Sequence, residues 1–250
     1  MSISLSSEQL AQEEQYRFPY HYLGLQSEMY RTVIHAHYLG KLQAALRLIG
    51  PLDGFDVLDF GCGDGRLCFE MNGRCKSLLG VDYSEAAIRF ARAFNPEVSF
   101  QATPIEKMLG EERFDLITMI DVLEHIPIPE ILELRCHLRR LLRPNGRLLV
   151  TVPSKNLPLS AKHYQHFDAQ SLVNALAPEF SPVEIIGHLK GGSAWRKLIR
   201  RVNWAVAAWP FRRRIPLLRP LIEWPAEYVK QHSVVHPEHC HTLMGVFHRR

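Results

Sequence analysis

The stretch Val57-Leu58-Asp59-Phe60-Gly61-Cys62-Gly63-Asp64-Gly65-Arg66 sets three glycines at alternate positions, with carboxylates before and among them. Glycines so spaced let a backbone turn sharply and approach a ligand with no Cβ in the way. A third carboxylate, Asp82, ends the apolar run Leu79-Gly80-Val81. Two phosphate-binding loops are excluded by position. A dinucleotide loop needs a glycine three residues after its second, and Arg66 stands there. A P-loop needs a Gly-Lys-Ser/Thr ending, and none follows. Asp59, Asp64 and Asp82 would also repel a pyrophosphate, which favours bare N–H groups at a helix start. They suit a ligand that carries positive charge and hydroxyl groups.

Elements that could position these residues are legible around them. The chain has 250 residues, 46% apolar and 22% charged, near globular averages, which excludes collagen-like, coiled-coil and wholly disordered classes. No apolar run approaches the ~20 residues that span a bilayer. Met1–Gln15 carries Glu8, Glu13 and Glu14, unlike a secretory or transit peptide. Five scattered cysteines fit a reducing, cytoplasmic setting better than a disulfide framework. Residues 1–26 read as an N-terminal arm, and Ser27 caps a helix running to about Leu48. Short apolar strands are expected at Phe55–Phe60, Leu78–Val81, Phe114–Ile120 and Arg147–Val152. Helices are expected near Arg66–Met71, Ser84–Ala93 and Ile128–Leu142. Continuous apolar strands alternating with helices predict a doubly wound, Rossmann-like α/β sheet covered on both faces. Further on, Asp168–Ala177 reads as a helix, and Val183–His188 and Leu243–His248 as strands. Roughly fifty residues separate those two strands, too many for a plain connection, so about 190–240 reads as an insertion within a single domain over 27–250.

S-adenosylmethionine matches the ligand chemistry of the acidic loop, with its ammonium, sulfonium and ribose hydroxyls. Asp82 sits where a carboxylate can accept from both hydroxyls. The motifs VLDFGCGDG (57–65), LGVDYSEAAI (79–88), FDLITMIDVLEHI (114–126) and LRPNGRLLVTVPS (142–154) resemble those of class I S-adenosylmethionine-dependent methyltransferases, over about 27–190 and the last strand. The resemblance implies a seven-stranded sheet whose last strand is antiparallel. It also implies a cofactor lying across the first two strand ends. Asp59, Gly61, Cys62, Gly63, Asp64 and Gly65 would lie near the methionine part, Asp82 on the ribose, Tyr83 and Ile105 near the adenine, and Asp121 close by. The family commonly has an acidic residue near Thr103-Pro104-Ile105; Pro104 stands here, so backbone groups or Glu106 would serve the adenine.

On the acceptor side, Asp121, Glu124 and His125 fall at i, i+3 and i+4, which on a helical turn share one face. Three readings stay open. His125 packs beneath the cofactor while the acids are solvated; or His125, with Asp121 assisting, takes a hydroxyl proton during transfer; or the three hold Mg²⁺ or Zn²⁺. The last resembles a Glu-x-x-Glu-His element of ubiquinone-biosynthesis O-methyltransferases and small-RNA 2′-O-methyltransferases, with Asp121 in place of the first Glu, and the shorter acid weakens that match. His163 and His166, after the fifth strand, would form a wall that binds the acceptor, or a loop that merely caps the next helix. An O-methyl product is favoured because no Asn-Pro-Pro-Tyr type of motif is present. A non-catalytic module that binds S-adenosylmethionine remains an alternative.

The net charge of +4 conceals a local excess. Nine basic and no acidic residues lie between Lys190 and Ile222. Trp195, Leu198, Ile199, Val202, Val206 and Trp209 fall at helical spacing, opposite Arg196, Lys197, Arg200 and Arg201. Such a basic amphipathic pattern fits an anionic membrane surface along 195–222, and with it a lipid-linked acceptor and a peripheral location. An ordinary lid over the sheet and an RNA-binding face for a nucleic-acid acceptor are the competing readings. His232, His236, His239, Cys240 and His241 have spacing that could ligate zinc but lack a Cys-x-x-Cys partner.

Overall fold

Alternation along the central strands builds the sheet. In β1 (Asp56–Phe60) Leu58 faces one layer and Val57 the other; in β4 (Phe114–Ile120) Ile117 and Met119 oppose Leu116. In β5 (Leu142–Pro153) Leu148 and Val150 oppose Leu149. Period-two side chains that are apolar on both faces require a cover on each. The first layer is closed by α4 (Ile128–Leu141), through Ile131, Leu134 and Leu138, and by α5 (Ala169–Leu176), through Leu172 and Leu176. The second is closed by α1 (His35–Ile49), through Leu42, Ala45 and Ile49, and by α2 (Arg66–Met71), through Leu67 and Met71. Each such aliphatic side chain taken fully from water contributes about 1.5–3 kcal/mol.

The computed structural model describes residues 14, 16–22, 35–108, 110–190, 201 and 234–250. The expected start of the first helix, the basic stretch 195–222 apart from Arg201, and His232 lie outside the described residues. β2 (Ser77–Asp82) and β3 (Ser99–Ala102) flank β1 on one side. Beyond β5 come β8 (Cys240–Arg249), β6 (Phe180–Lys190) and the two-residue β7 (Val234–Val235). The order is β3-β2-β1-β4-β5-β8-β6-β7. The first five strands run parallel, and β8 lies antiparallel between β5 and β6. The doubly wound α/β class and the antiparallel last strand are as expected.

The sheet has eight strands among the described residues rather than seven, because β7 adds a short edge to β6 through Gly187↔Val235 and His188↔Val234. β3 had no sequence signal, since only Phe100 of its four residues is buried. β6 and β5 are longer than their apolar runs: β6 takes in Phe180–Pro182 through pairing with β8, and β5 begins at Leu142, paired with Phe114 before a register shift. Helix starts follow their caps. The Ser84 side chain accepts from Ala87 N at 3.1 Å to begin α3 (Glu85–Phe94), and Asp168 and Ser171 form a reciprocal capping box on α5. Among the described residues no helix is long and apolar enough to cross a membrane.

Candidate active site

Strands β1, β2 and β4 end side by side at Phe60, Asp82 and Ile120, the edge of an open α/β sheet where ligands bind. A cavity of about 640 Å³ opens there. Asp59, Gly61, Cys62, Gly63, Asp82, Tyr83, Ile105, Asp121, His125 and His163 all line it. Asp64, Gly65 and His166, expected at the ligands, do not line it. Asp64 is fully buried and accepts from His21 N at 3.3 Å and its Nδ1 at 2.9 Å. Gly65 is the left-handed start of α2 (φ 81°), packed so closely that a Cβ would lie 2.9 Å from the Asn95 amide.

The cofactor end is built from backbone and carboxylates. Asp82 accepts from Gly63 N through Oδ2 and from Ser84 N through Oδ1, both at 2.9 Å. One side chain thus ties the glycine loop to the start of α3. Gly63 itself has φ 55°, and a Cβ there would lie 2.6 Å from the Tyr16 hydroxyl. Asp59, 2% exposed at the cavity wall, accepts from Thr118 Oγ1 at 2.7 Å and from Cys68 Sγ at 3.2 Å. Burial pushes its carboxyl up to about 6, against these two hydrogen bonds and with help from the Asp82 charge. Carboxylates and a close-packed backbone fit a cationic nucleoside, and among the described residues neither a lysine nor an arginine lines this end to take a phosphate. Burial pushes two thiols upward, Cys62 in the loop to about 11 and Cys68 in α2 well above its usual range, so both stay protonated.

At the opposite end the geometry departs from the expected helical turn. Asp121 has φ 54° and precedes a 3-10 turn, Leu123–His125. A non-glycine residue in that left-handed region is strained by roughly 1–2 kcal/mol. β5 holds it there: Asp121 N donates to Thr151 O at 3.0 Å, and Thr151 Oγ1 donates to Asp121 Oδ1 at 2.8 Å. Lys41 completes an ion pair with the carboxylate. Desolvation opposes the Asp121 charge, yet the Lys41 ammonium and the Thr151 hydroxyl outweigh it and hold the group below its usual range. Lys41 and Thr151 thus hold the Asp121 carboxylate; its charge still acts on Glu124 and His125, but it is not among the ligating groups brought together with theirs, so the expected trio does not form.

His163 takes its place. Ligating atoms of Glu124, His125 and His163 lie within 4.8 Å of one another, the group among the described residues that could hold a metal ion. Among the described residues the tail histidines form no such group: Cys240 starts β8 and donates its thiol to Pro237 O, while the His236 and Glu238 side chains lie exposed. The 160–167 loop is clamped on the turn by Tyr164 N donating to Glu124 O (2.8 Å) and Gln165 Nε2 donating to Ile126 O (2.7 Å). The His125 and His163 rings meet edge to face, centroids 4.8 Å apart. Glu124 is 1% exposed, and its Oε2 has no hydrogen-bond partner among the described residues. Burial, with the Asp121 charge beside it, pushes this carboxyl well above its usual range. Desolvation lowers His125, and desolvation together with the neighbouring imidazoles brings His163 down to about 4.

Several residues of the site carry no motif. Tyr16 and His21 come from the N-terminal arm, and Tyr38 and Lys41 from α1; His21 stacks on Tyr38 with centroids 4.3 Å apart. The arm is pinned further by Tyr22, which stacks on Phe94 and accepts from Asn95 Nδ2 at 2.8 Å. The sequence carries no pattern that marks Tyr16, His21 or Tyr38, and the need of a partly buried carboxylate for a cation, which Lys41 meets here, does not say where in the chain that cation is.

A family model described as a methyltransferase domain matches residues 52–203. The ubiquinone biosynthesis O-methyltransferase of Alkalilimnicola ehrlichii is 32% identical over 122 residues, 46% of this chain and 49% of that protein. The protein of the same description from Bordetella avium is 26% identical over 196 residues, 64% and 80% of the two chains. Apart from the latter, the chain spans about half the length of these curated relatives. Among solved structures, the N-methyltransferase NodS of Bradyrhizobium japonicum WM9, in complex with S-adenosyl-L-homocysteine, superposes with a TM-score of 0.61 at 16% identity, covering 98% of this chain and 99% of that one. The [4+2]-cyclase SpnF gives 0.55 at 17% identity over 85% and 81%. Likenesses this distant show the fold alone, and the difference between those two descriptions shows that the fold does not fix the reaction. With a methyltransferase model covering more than half its length and acidic glycine-loop geometry to match, the chain belongs to the class I S-adenosylmethionine-dependent methyltransferases.

Proposed function

We propose that the protein transfers a methyl group from S-adenosylmethionine to an oxygen of a small-molecule or lipid-linked acceptor. One observation carries the choice of acceptor atom. His125 Nδ1 lies 3.0 Å from Lys162 O, and a carbonyl can only accept, so Nδ1 bears the proton and Nε2 of the neutral ring keeps a lone pair. Desolvation keeps that ring neutral, as a proton acceptor for a hydroxyl must be. When bound, the cofactor supplies an electrophilic methyl on a sulfonium. Asp82 would accept from the ribose hydroxyls, and Asp59 would face the cationic methionine part. The cavity walls at Ile126, Pro127 and Leu134 would hold the acceptor's apolar part in line with the methyl, and His125 would take the hydroxyl proton as the new bond forms. Asp121, paired with Lys41, would support this end electrostatically.

The relatives described as ubiquinone biosynthesis O-methyltransferases support an oxygen acceptor, and the basic 195–222 segment supports a lipid-linked one presented at an anionic membrane from the cytoplasm. The test is transfer of radiolabelled methyl to separated lipid, small-molecule and RNA fractions. Label in the lipid or small-molecule fraction is expected; label confined to nuclease-sensitive material would instead establish an RNA acceptor. Cofactor binding with no label anywhere would make the chain a binding module. His125→Ala should lower transfer by about 10²-fold while S-adenosylhomocysteine affinity measured by calorimetry stays unchanged. Vesicles containing anionic lipid should carry the protein upward in flotation, and neutral vesicles should not.

A further inference from the structure

His163 and His166 form a contact that the reaction above does not use. His163 Nδ1 and His166 Nε2 are 2.8 Å apart, and His166 Nδ1 is 3.2 Å from Leu157 O. The carbonyl can only accept, so His166 Nδ1 carries a hydrogen. In a neutral ring the other nitrogen is then an acceptor. When both rings are neutral, His166 Nε2 therefore receives a hydrogen from His163 Nδ1, which leaves His163 Nε2 without one. His163 lines the cavity and His166 does not, so the chain of bonds starts at a main-chain carbonyl outside the cavity and ends within it.

We propose that His166 is a positioning residue that fixes the tautomer of His163, so that His163 Nε2 presents a lone pair to the methyl acceptor beside that of His125. Two imidazoles are thereby held in the same hydrogen-bonding state by two independent carbonyls, Lys162 O and Leu157 O. That end of the cavity then favours an acceptor that brings hydrogens. Use of the lone pair in methyl transfer rests on the oxygen-acceptor reading, but the tautomer can be measured without any acceptor.

The experiment is a long-range ¹H–¹⁵N correlation spectrum of the ¹⁵N-labelled full chain at about pH 8, above the usual histidine range. The His163 signals are assigned by their loss in His163→Gln. In the wild type, His163 is expected as the Nδ1–H form with an unprotonated Nε2. His166→Phe should move it towards the Nε2–H form. His166→Gln, whose side-chain carbonyl can accept from Nδ1–H, should restore the wild-type pattern. An Nε2–H ring in the wild type, or an unchanged tautomer in His166→Phe, would overturn the proposal. Should the Phe variant fail to fold, the wild-type and Gln spectra decide, since both must show Nδ1–H. Titration of the same samples with S-adenosylhomocysteine separates the readings: no binding there removes the cofactor assignment and leaves the tautomer result standing.

Discussion

Asp59 carries a conflict between charge and burial. Its carboxyl is raised to about 6 by desolvation, so it ionises fully only above that pH. If it faces the cationic methionine part, S-adenosylhomocysteine affinity should fall as pH drops from about 8 to 5, because the proton and the ligand's positive charge compete. Asp59→Asn should bind more weakly and lose most of this pH dependence; calorimetry across the range checks both. Gly63 poses a steric problem instead. Its φ of 55° and the Tyr16 hydroxyl 2.6 Å from any Cβ mean that Gly63→Ala must strain the loop and displace the arm. A loss of about 1–2 kcal/mol of stability is expected by thermal unfolding, together with weaker cofactor binding.

At the scale of elements, the two ends of the cavity are held differently. The cofactor loop is fixed by the start of α3, through Asp82 bonding both Gly63 and Ser84. Ser84 also caps that helix. Ser84→Ala removes the cap but leaves the backbone bond to Asp82. It should cost about 1 kcal/mol in denaturant unfolding with little change in S-adenosylhomocysteine affinity; a large loss of affinity would mean that the cap itself orders the loop. The acceptor end depends on two irregular segments, the 121–126 turn and the 160–167 loop, joined by main-chain hydrogen bonds. Strain at Asp121 is tolerated there because β5 and Lys41 overdetermine its position.

For the whole molecule, the sheet edge opposite the cavity carries a charge network of Asp56, Asp115, Lys76 and Arg143. Asp56 is held at about 2, chiefly by the Ser77 hydroxyl at 2.6 Å and then by Arg143 and Lys76. A folded-state value below the unfolded one stabilises the fold above about pH 4, and that contribution disappears as pH falls through about 2. Asp168, held at about 2 by Lys155 and the Ser171 cap, acts in the same direction. Asp59 acts in the opposite one: its raised value favours the fold at low pH and costs stability as pH rises through about 6. Acid unfolding followed by circular dichroism should therefore begin below about pH 4. Ser77→Ala should move the onset to higher pH, because it removes the largest influence holding Asp56 down.

The strands, the helices and the glycine loop were legible in the sequence because each rests on local patterns: apolar runs buried on both faces, caps such as Ser84 and Asp168, and glycines where φ must be positive. Asp82 was legible for the same reason, standing at the end of one such strand. β3 and β7 were not, since a strand with one buried residue or two residues in all is made by its neighbours' unpaired edges and leaves no period of its own. The cavity's far end was the least legible. Local spacing grouped Asp121 with Glu124 and His125, but a left-handed residue broke the turn and Lys41, eighty positions away, claimed the carboxylate. His163 reached the cluster, and Tyr16 and His21 reached the glycine loop, through contacts between segments far apart in the chain. Periodicity and capping act within a few residues and so are written in the sequence. Which charge neutralises a half-buried carboxylate, and which nitrogen of an imidazole keeps its hydrogen, depend on groups brought together only when the chain has folded.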